Sequence, residues 1–135
     1  MLEFIEPYKV TVLVMGLSGL TFFAQLLVAD IVGIKSRHIP GYPIEPNHKD
    51  LHFRSTRALS NTNESVAIFI LLVCFSILSS ANANLLNISA TVYLVGRVGH
   101  MLCYYSNLKL LRSISFGCSL LGLAAIFIVG IIEWF

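Results

Sequence analysis

Residues 52–65, HFRSTRALSNTNES, run directly into VAIFILLVCFSIL at 66–78. A segment dense in hydrogen-bonding side chains becomes almost wholly apolar, which is how a helix entering a membrane from its polar edge reads. Arg54, Arg57, Asn61 and Glu64 stand on this segment. At about 100° per residue, these four side chains fall within roughly 80° of one helix face. Two guanidiniums, an amide and a carboxylate on one stripe at the mouth of an apolar helix form the wall of a polar pocket.

The rest of the chain fits that reading. Hydrophobic residues make up 56% of its 135 residues and charged residues 12%, and its mean hydropathy is +0.81. A soluble domain is about 45–50% apolar and about 25% charged, so the solvent expected here is lipid. Apolar stretches lie at about Val10–Ile34, Arg57–Ser80, Leu85–Tyr105 and Ile114–Trp134, each near the roughly 20 residues that cross a hydrocarbon core. The expected architecture is all-α: one integral membrane four-helix bundle over 1–135, with spans at roughly 8–34, 54–80, 85–107 and 112–134. The first span has an acidic flank (Glu3, Glu6) and too long an apolar run for a cleavable signal peptide, so it is expected to remain as a helix.

Lys35, Arg37, Lys49, Arg54 and Arg57 in one connection, and Lys109 and Arg112 in another, predict that both face the cytoplasm with the termini on the opposite side. A net charge of +2 is too small and too local to suggest nucleic acid. Cys74, Cys103 and Cys118 show no CxxC spacing and read as small packing residues inside spans. Pro40, Gly41, Pro43 and Pro46 mark a true loop. His38, His48 and His52, in or beside it, match no metal spacing and read as surface histidines. Asp30 reads as a solvated or Lys35-paired acid, with a place in the site wall as the alternative. Ser55 and Thr56 are candidate caps for the second helix, and the triplets at Asn63 and Asn87 fall on helices, which argues against glycosylation.

The third helix carries a second stripe: Tyr93, Arg97, His100 and Tyr104 fall within roughly 60° of one face. Arg97 lies about 12 Å from the helix end, too deep to reach water easily. An unpaired guanidinium near the membrane centre costs about 2.5–3.5 kcal/mol, so Arg97 must face a partner or a cavity. Counting from the short Ala81–Asn84 turn places Glu64 level with His100–Met101 and Asn61 level with Tyr104, which makes a Glu64–Arg97 ion pair one candidate. Arg54, Arg57 and Arg112 would leave the pocket cationic even so, which suits an anionic ligand. Gly117, Gly122 and Gly130 on the fourth helix suggest close packing.

Two patterns together resemble a known family. Arg54-x-x-Arg57-Ala58-x-x-Asn61-x-x-Glu64 and the segment RVGHMLCYYSNLKLLRSISF are similar to the second-helix signature and the third-to-fourth-helix region of the MAPEG proteins (membrane-associated proteins in eicosanoid and glutathione metabolism), the prokaryotic branch in particular. The resemblance covers essentially the whole chain. It implies a homotrimer with glutathione as co-substrate, bound at subunit interfaces near the cytoplasmic side of a bacterial inner membrane, and no metal. Carried over, Arg57, Asn61 and Glu64 would hold the carboxylate and amino ends of glutathione, with Arg54, Arg97, His100 and Tyr104 lining the pocket. Arg112 would stabilise the thiolate, a role in keeping with a cation's effect on a thiol. The implied reactions are conjugation of hydrophobic electrophiles and reduction of lipid hydroperoxides. Ser65, Lys109 and His100 depart from residues common in the family and bear on affinity and reaction type. The alternatives are a non-catalytic lipid- or partner-binding protein of the same fold, and a proton-coupled transporter using Glu64. The neighbouring arginines disfavour the transporter by holding that carboxylate ionised.

Overall fold

The computed structural model describes residues 3–135. A single 3-10 turn at Glu6–Tyr8 opens into α1 (Lys9–Lys35), followed by α2 (Leu51–Leu78), α3 (Ala83–Tyr105) and α4 (Lys109–Ile132). The described residues contain no strand. Helices adjacent in sequence run antiparallel. The N-terminus, the α2–α3 turn and the C-terminus gather at one end of the bundle, and the 36–50 loop and the α3–α4 turn at the other.

The bundle encloses many polar side chains beside an apolar core of Phe69, Val73, Leu86 and Ile126, and its outer surface is largely apolar. Thr11, Gln25, Ser55, Ser76 and Ser119 are buried to within 1% of full enclosure, whereas Leu71, Leu78, Leu110 and Leu121 lie on the outer surface. Water would reverse that partition; hydrocarbon permits it, because backbone bonds close within each helix and polar side chains bind between helices. Helices α1, α2 and α4 are each long and apolar enough to cross a membrane. By hydropathy α3 is not, yet it spans about 34 Å and packs against the other three helices. Its Ser89, Tyr93, Arg97, His100 and Tyr104 are buried against protein, so it needs less apolar surface.

The start of α2 differs from the expectation: His52, expected at the surface, is 6% exposed with its ring against Gly33. Asp50 caps α2, its carboxylate accepting from the His52 amide at 3.0 Å. The expected caps, Ser55 and Thr56, instead sit inside the helix and donate to the His52 carbonyl. Helices α1, α2 and α3 each end on a non-glycine residue at positive φ: Arg37 (54°), Ser80 (56°) and Asn107 (56°). At each end the next amide reaches back five residues: His38 to Gly33, Ala81 to Ser76 and Leu108 to Cys103. This is the Schellman closure.

That closure corrects the expected hairpin register. Arg97 bonds Asn61, Ser65 meets Tyr93, and Arg54 reaches Tyr105, so Asn61 lies level with Arg97 and not with Tyr104. Residues 79–82 do not form a symmetric tip: Ala81 is folded back into the core and Asn82 is already the α3 cap. The pairing therefore slides by about two helical turns relative to a count from the turn's centre.

The α3–α4 contact is the closest. A Cβ on Gly96 would lie 2.6 Å from the Ser119 amide nitrogen, and one on Gly122 would lie 2.6 Å from that of Tyr93. Gly130 is similarly crowded by Ser76 and Phe75, but Gly117, also expected to allow close packing, faces open space. All three cysteines lie inside helices, as expected, but Cys74 and Cys118 are exposed in the single chain and only Cys103, half-buried, packs within it. Asn87 ties the N-terminus to α3, accepting from the amide and hydroxyl of Thr11 and donating to the Pro7 carbonyl.

Candidate functional site

The two polar stripes meet where α2 and α3 pair, but their residues divide into an inner group and an end group. In the inner group Arg97, only 3% exposed, spreads its guanidinium between two oxygens of α2. Nη1 donates to Asn61 Oδ1 at 2.9 Å and Nη2 to Thr62 Oγ1 at 2.8 Å. One turn further into the bundle the Ser65 and Tyr93 hydroxyls lie 3.2 Å apart, and Tyr93 stacks on Phe69. Ser18 and Thr21 of α1 close a small void of about 10 Å³ over Arg97.

The partner that Arg97 needs is thus a neutral pair of oxygens. No Glu64–Arg97 ion pair forms: Glu64 is exposed, and the one ion pair among the described residues is Lys9–Glu6, elsewhere on the chain. Glu64 lies a full turn from Asn61 on the open side of α2, which leaves Arg97 nearer Thr62. Thr62 carried no sequence signal, because it lies off the Arg54–Glu64 stripe and threonine is common inside membrane helices.

At the loop end, Tyr104 is buried and the Arg112 guanidinium lies 4.4 Å from its ring centroid, a cation–π contact. His100 sets its ring edge to Tyr104 at 4.9 Å and tilts toward Phe116 at 5.7 Å. Arg112 stands in the first turn of α4, which begins at Lys109 rather than at the expected 112. Arg54 is committed to backbone: it donates to the carbonyls of His48, Lys49 and Tyr105, closing the loop and the end of α3. Arg57 and Glu64 are exposed, and neither side chain makes a hydrogen bond or ion pair among the described residues.

Asn61 and Arg97 are therefore joined directly, and His100, Tyr104 and Arg112 form one aromatic–cationic cluster. Arg57 and Glu64 stand on the outer face of α2 in the single chain, and Arg54 serves the loop. Among the described residues no three His, Cys, Asp or Glu side chains converge as metal ligands. The arrangement offers guanidiniums, an amide and a phenol to an anion, next to a hydrocarbon-facing surface.

The fold is that of an integral membrane protein, a four-helix bundle with three helices long and apolar enough to cross a membrane. The family model of the MAPEG family matches residues 10–132, nearly the whole chain, and the protein belongs to that family. It is thus a membrane protein of the family concerned with glutathione and eicosanoid metabolism. No curated protein matches the chain in sequence.

Proposed function

We propose that the protein is a membrane-bound glutathione-dependent transferase or peroxidase acting on hydrophobic electrophiles or lipid hydroperoxides. The observation that carries this reading is the charge balance: among the described residues no carboxylate lies within 4.0 Å of Arg54, Arg57, Arg97 or Arg112. A cationic surface without its own counter-ions favours an anionic ligand, and guanidiniums grip carboxylates in a forked geometry. Arg57 and Glu64 are free to receive the carboxylate and amino ends of glutathione, with Asn61 beside them. Arg112, held by the Tyr104 ring, would face the thiol. A cation beside a thiol lowers its pKa and raises the thiolate fraction. The apolar acceptor would arrive through the bilayer, and no metal is called for.

Arg57 and Glu64 lie on an open face of one chain, so this reading places the site between chains, in a homotrimer. It also sets the basic connections toward the cytoplasm of a bacterial inner membrane. Native mass spectrometry in detergent is expected to give three chains per particle. Calorimetric titration of that particle with glutathione is expected to show saturable heat, and no heat at millimolar ligand overturns the proposal. Arg112→Ala is expected to abolish the ultraviolet absorbance of bound thiolate while leaving the helical content unchanged.

One observation favours a second reading. Arg97, the most deeply placed arginine, already donates to Asn61 and Thr62, as a non-catalytic lipid- or partner-binding member of the same fold would allow. In that case glutathione binding is absent and Arg112→Ala leaves function intact.

A further inference from the structure

Three buried side chains in the interior of the bundle have polar atoms without a protein partner. Arg97 commits Nη1 and Nη2 to Asn61 and Thr62, but its Nε–H is buried with no acceptor. Ser18 Oγ of α1 is buried with no partner either. Gln25, also on α1, is 0% exposed, and neither its amide oxygen nor its amide nitrogen finds a partner. At about 100° per residue, Ser18, Thr21 and Gln25 fall within roughly 60° of one face of α1. Ser18 and Thr21 on that face look onto Thr62, Tyr93 and Arg97. It is the inside of a single chain and not the outer surface of α1 and α2.

Thr11 fixes the level of these groups. Its amide and hydroxyl both bond Asn87 of α3. Helices α1 and α3 run parallel, so ten residues further along each, about 15 Å, Thr21 comes level with Arg97. The void of about 10 Å³ lies at that level, between Ser18 and Thr21 of α1, Thr62 of α2, and Tyr93 and Arg97 of α3. Gln25 stands one turn beyond. A long side chain on a helix leans toward the N-terminus of that helix, which carries the Gln25 amide back toward Thr21 and Arg97. Among the described residues Thr11 is the one α1 side chain that bonds another of the four helices, since Thr21 donates within α1 itself.

The size of the void selects its occupant. A space of about 10 Å³ takes one water and excludes an organic ligand or a larger anion. A dry void would leave all three side chains short of hydrogen bonds at membrane depth, where bulk water cannot supply them. One water accepts from Arg97 Nε–H and donates to Ser18 Oγ and Gln25 Oε1, which gives it the two to four polar partners an enclosed water needs. We propose that a single enclosed water binds between α1, α2 and α3 and joins Ser18 and Gln25 to Arg97. Through Arg97 it links the middle of α1 to Asn61. The site lies within one chain and does not depend on glutathione binding.

The test is radiolytic hydroxyl-radical footprinting of the full chain in detergent, in which X-ray pulses split bound water and oxidise the side chains beside it. Tyr93 borders the void and is 1% exposed, yet it is expected to take up oxygen. After transfer into water enriched in the heavy oxygen isotope, that isotope is expected to reach Tyr93 more slowly than Tyr42, which is 66% exposed. Gln25→Leu keeps a side chain of similar size and removes both polar atoms. It is expected to lose the Tyr93 label, to keep the Tyr42 label, and to lower the thermal midpoint, because the water that served Arg97 leaves with the amide. No label at Tyr93 in the wild type overturns the proposal. So does heavy oxygen reaching Tyr93 as fast as Tyr42, which means a passage open to bulk water. A raised midpoint in Gln25→Leu means a dry amide and overturns it too. The wild-type measurements need no variant to fold, and titration with glutathione reads the other proposal separately.

Discussion

Arg97 shows at the level of one residue how a buried charge is tolerated. The cost of placing a guanidinium at membrane depth is offset by two charge-assisted hydrogen bonds from one planar fork to Asn61 and Thr62. Lysine has the charge without the fork and cannot hold both oxygens in that geometry. Arg97→Lys is therefore expected to lower stability by about 1.5–3 kcal/mol, read as an earlier thermal transition by circular dichroism in detergent. An unchanged transition would show that the pair of bonds carries no weight. The need for a partner at Arg97 was legible from its depth in an apolar helix. The identity of the partner was not, because it depends on which residue of α2 comes level with it.

At the level of elements, the ends of the helices set that alignment. Ser80 occupies the left-handed position that closes α2, with φ 56°, where a Cβ is strained and glycine is not. Ser80→Gly is expected to stabilise the protein by about 0.5–1 kcal/mol, the relief of strain exceeding the added freedom of the unfolded chain. A fall in the denaturation midpoint would count against this account of the turn. The closure draws Ala81 back to Ser76, and Asn61 pairs with Arg97, about two turns from where a count from the centre of the turn puts it. Composition and periodicity located all four helices to within a few residues, since each depends on neighbours in sequence. Periodicity fixes a face and not a height. Hence the stripes at Arg54–Glu64 and Tyr93–Tyr104 were readable while their mutual level was not.

The whole molecule depends on how closely α3 approaches α4. Apolar burial drives little association in lipid, because the tails are as apolar as the side chains, so contact at van der Waals distance and hydrogen bonding must hold the bundle. Gly96 meets the backbone of Ser115 and Ser119, where no side chain can move aside. Gly96→Ala is expected to cost about 3 kcal/mol or more. Gly117→Ala, made in open space on the same interface helix, is expected to be neutral or to stabilise by up to about 1 kcal/mol. Thermal unfolding of the two variants side by side checks the pair, and equal behaviour would refute the close-packing account.

The sequence by itself determined a membrane protein of four helices, their approximate limits, the faces that carry arginine and the family to which they belong. The helices and the arginine faces follow from composition and from the 3.6-residue period along one chain, and the family from the likeness of its motifs and the match over residues 10–132. Tertiary structure alone decided that Arg97 bonds Asn61 and Thr62 and leaves Glu64 outside, that Arg54 closes a loop, and that His52 turns inward beside Gly33. Each of those outcomes rests on distances between helices. Such distances are set by caps, glycines and register together, and no single stretch of sequence contains them.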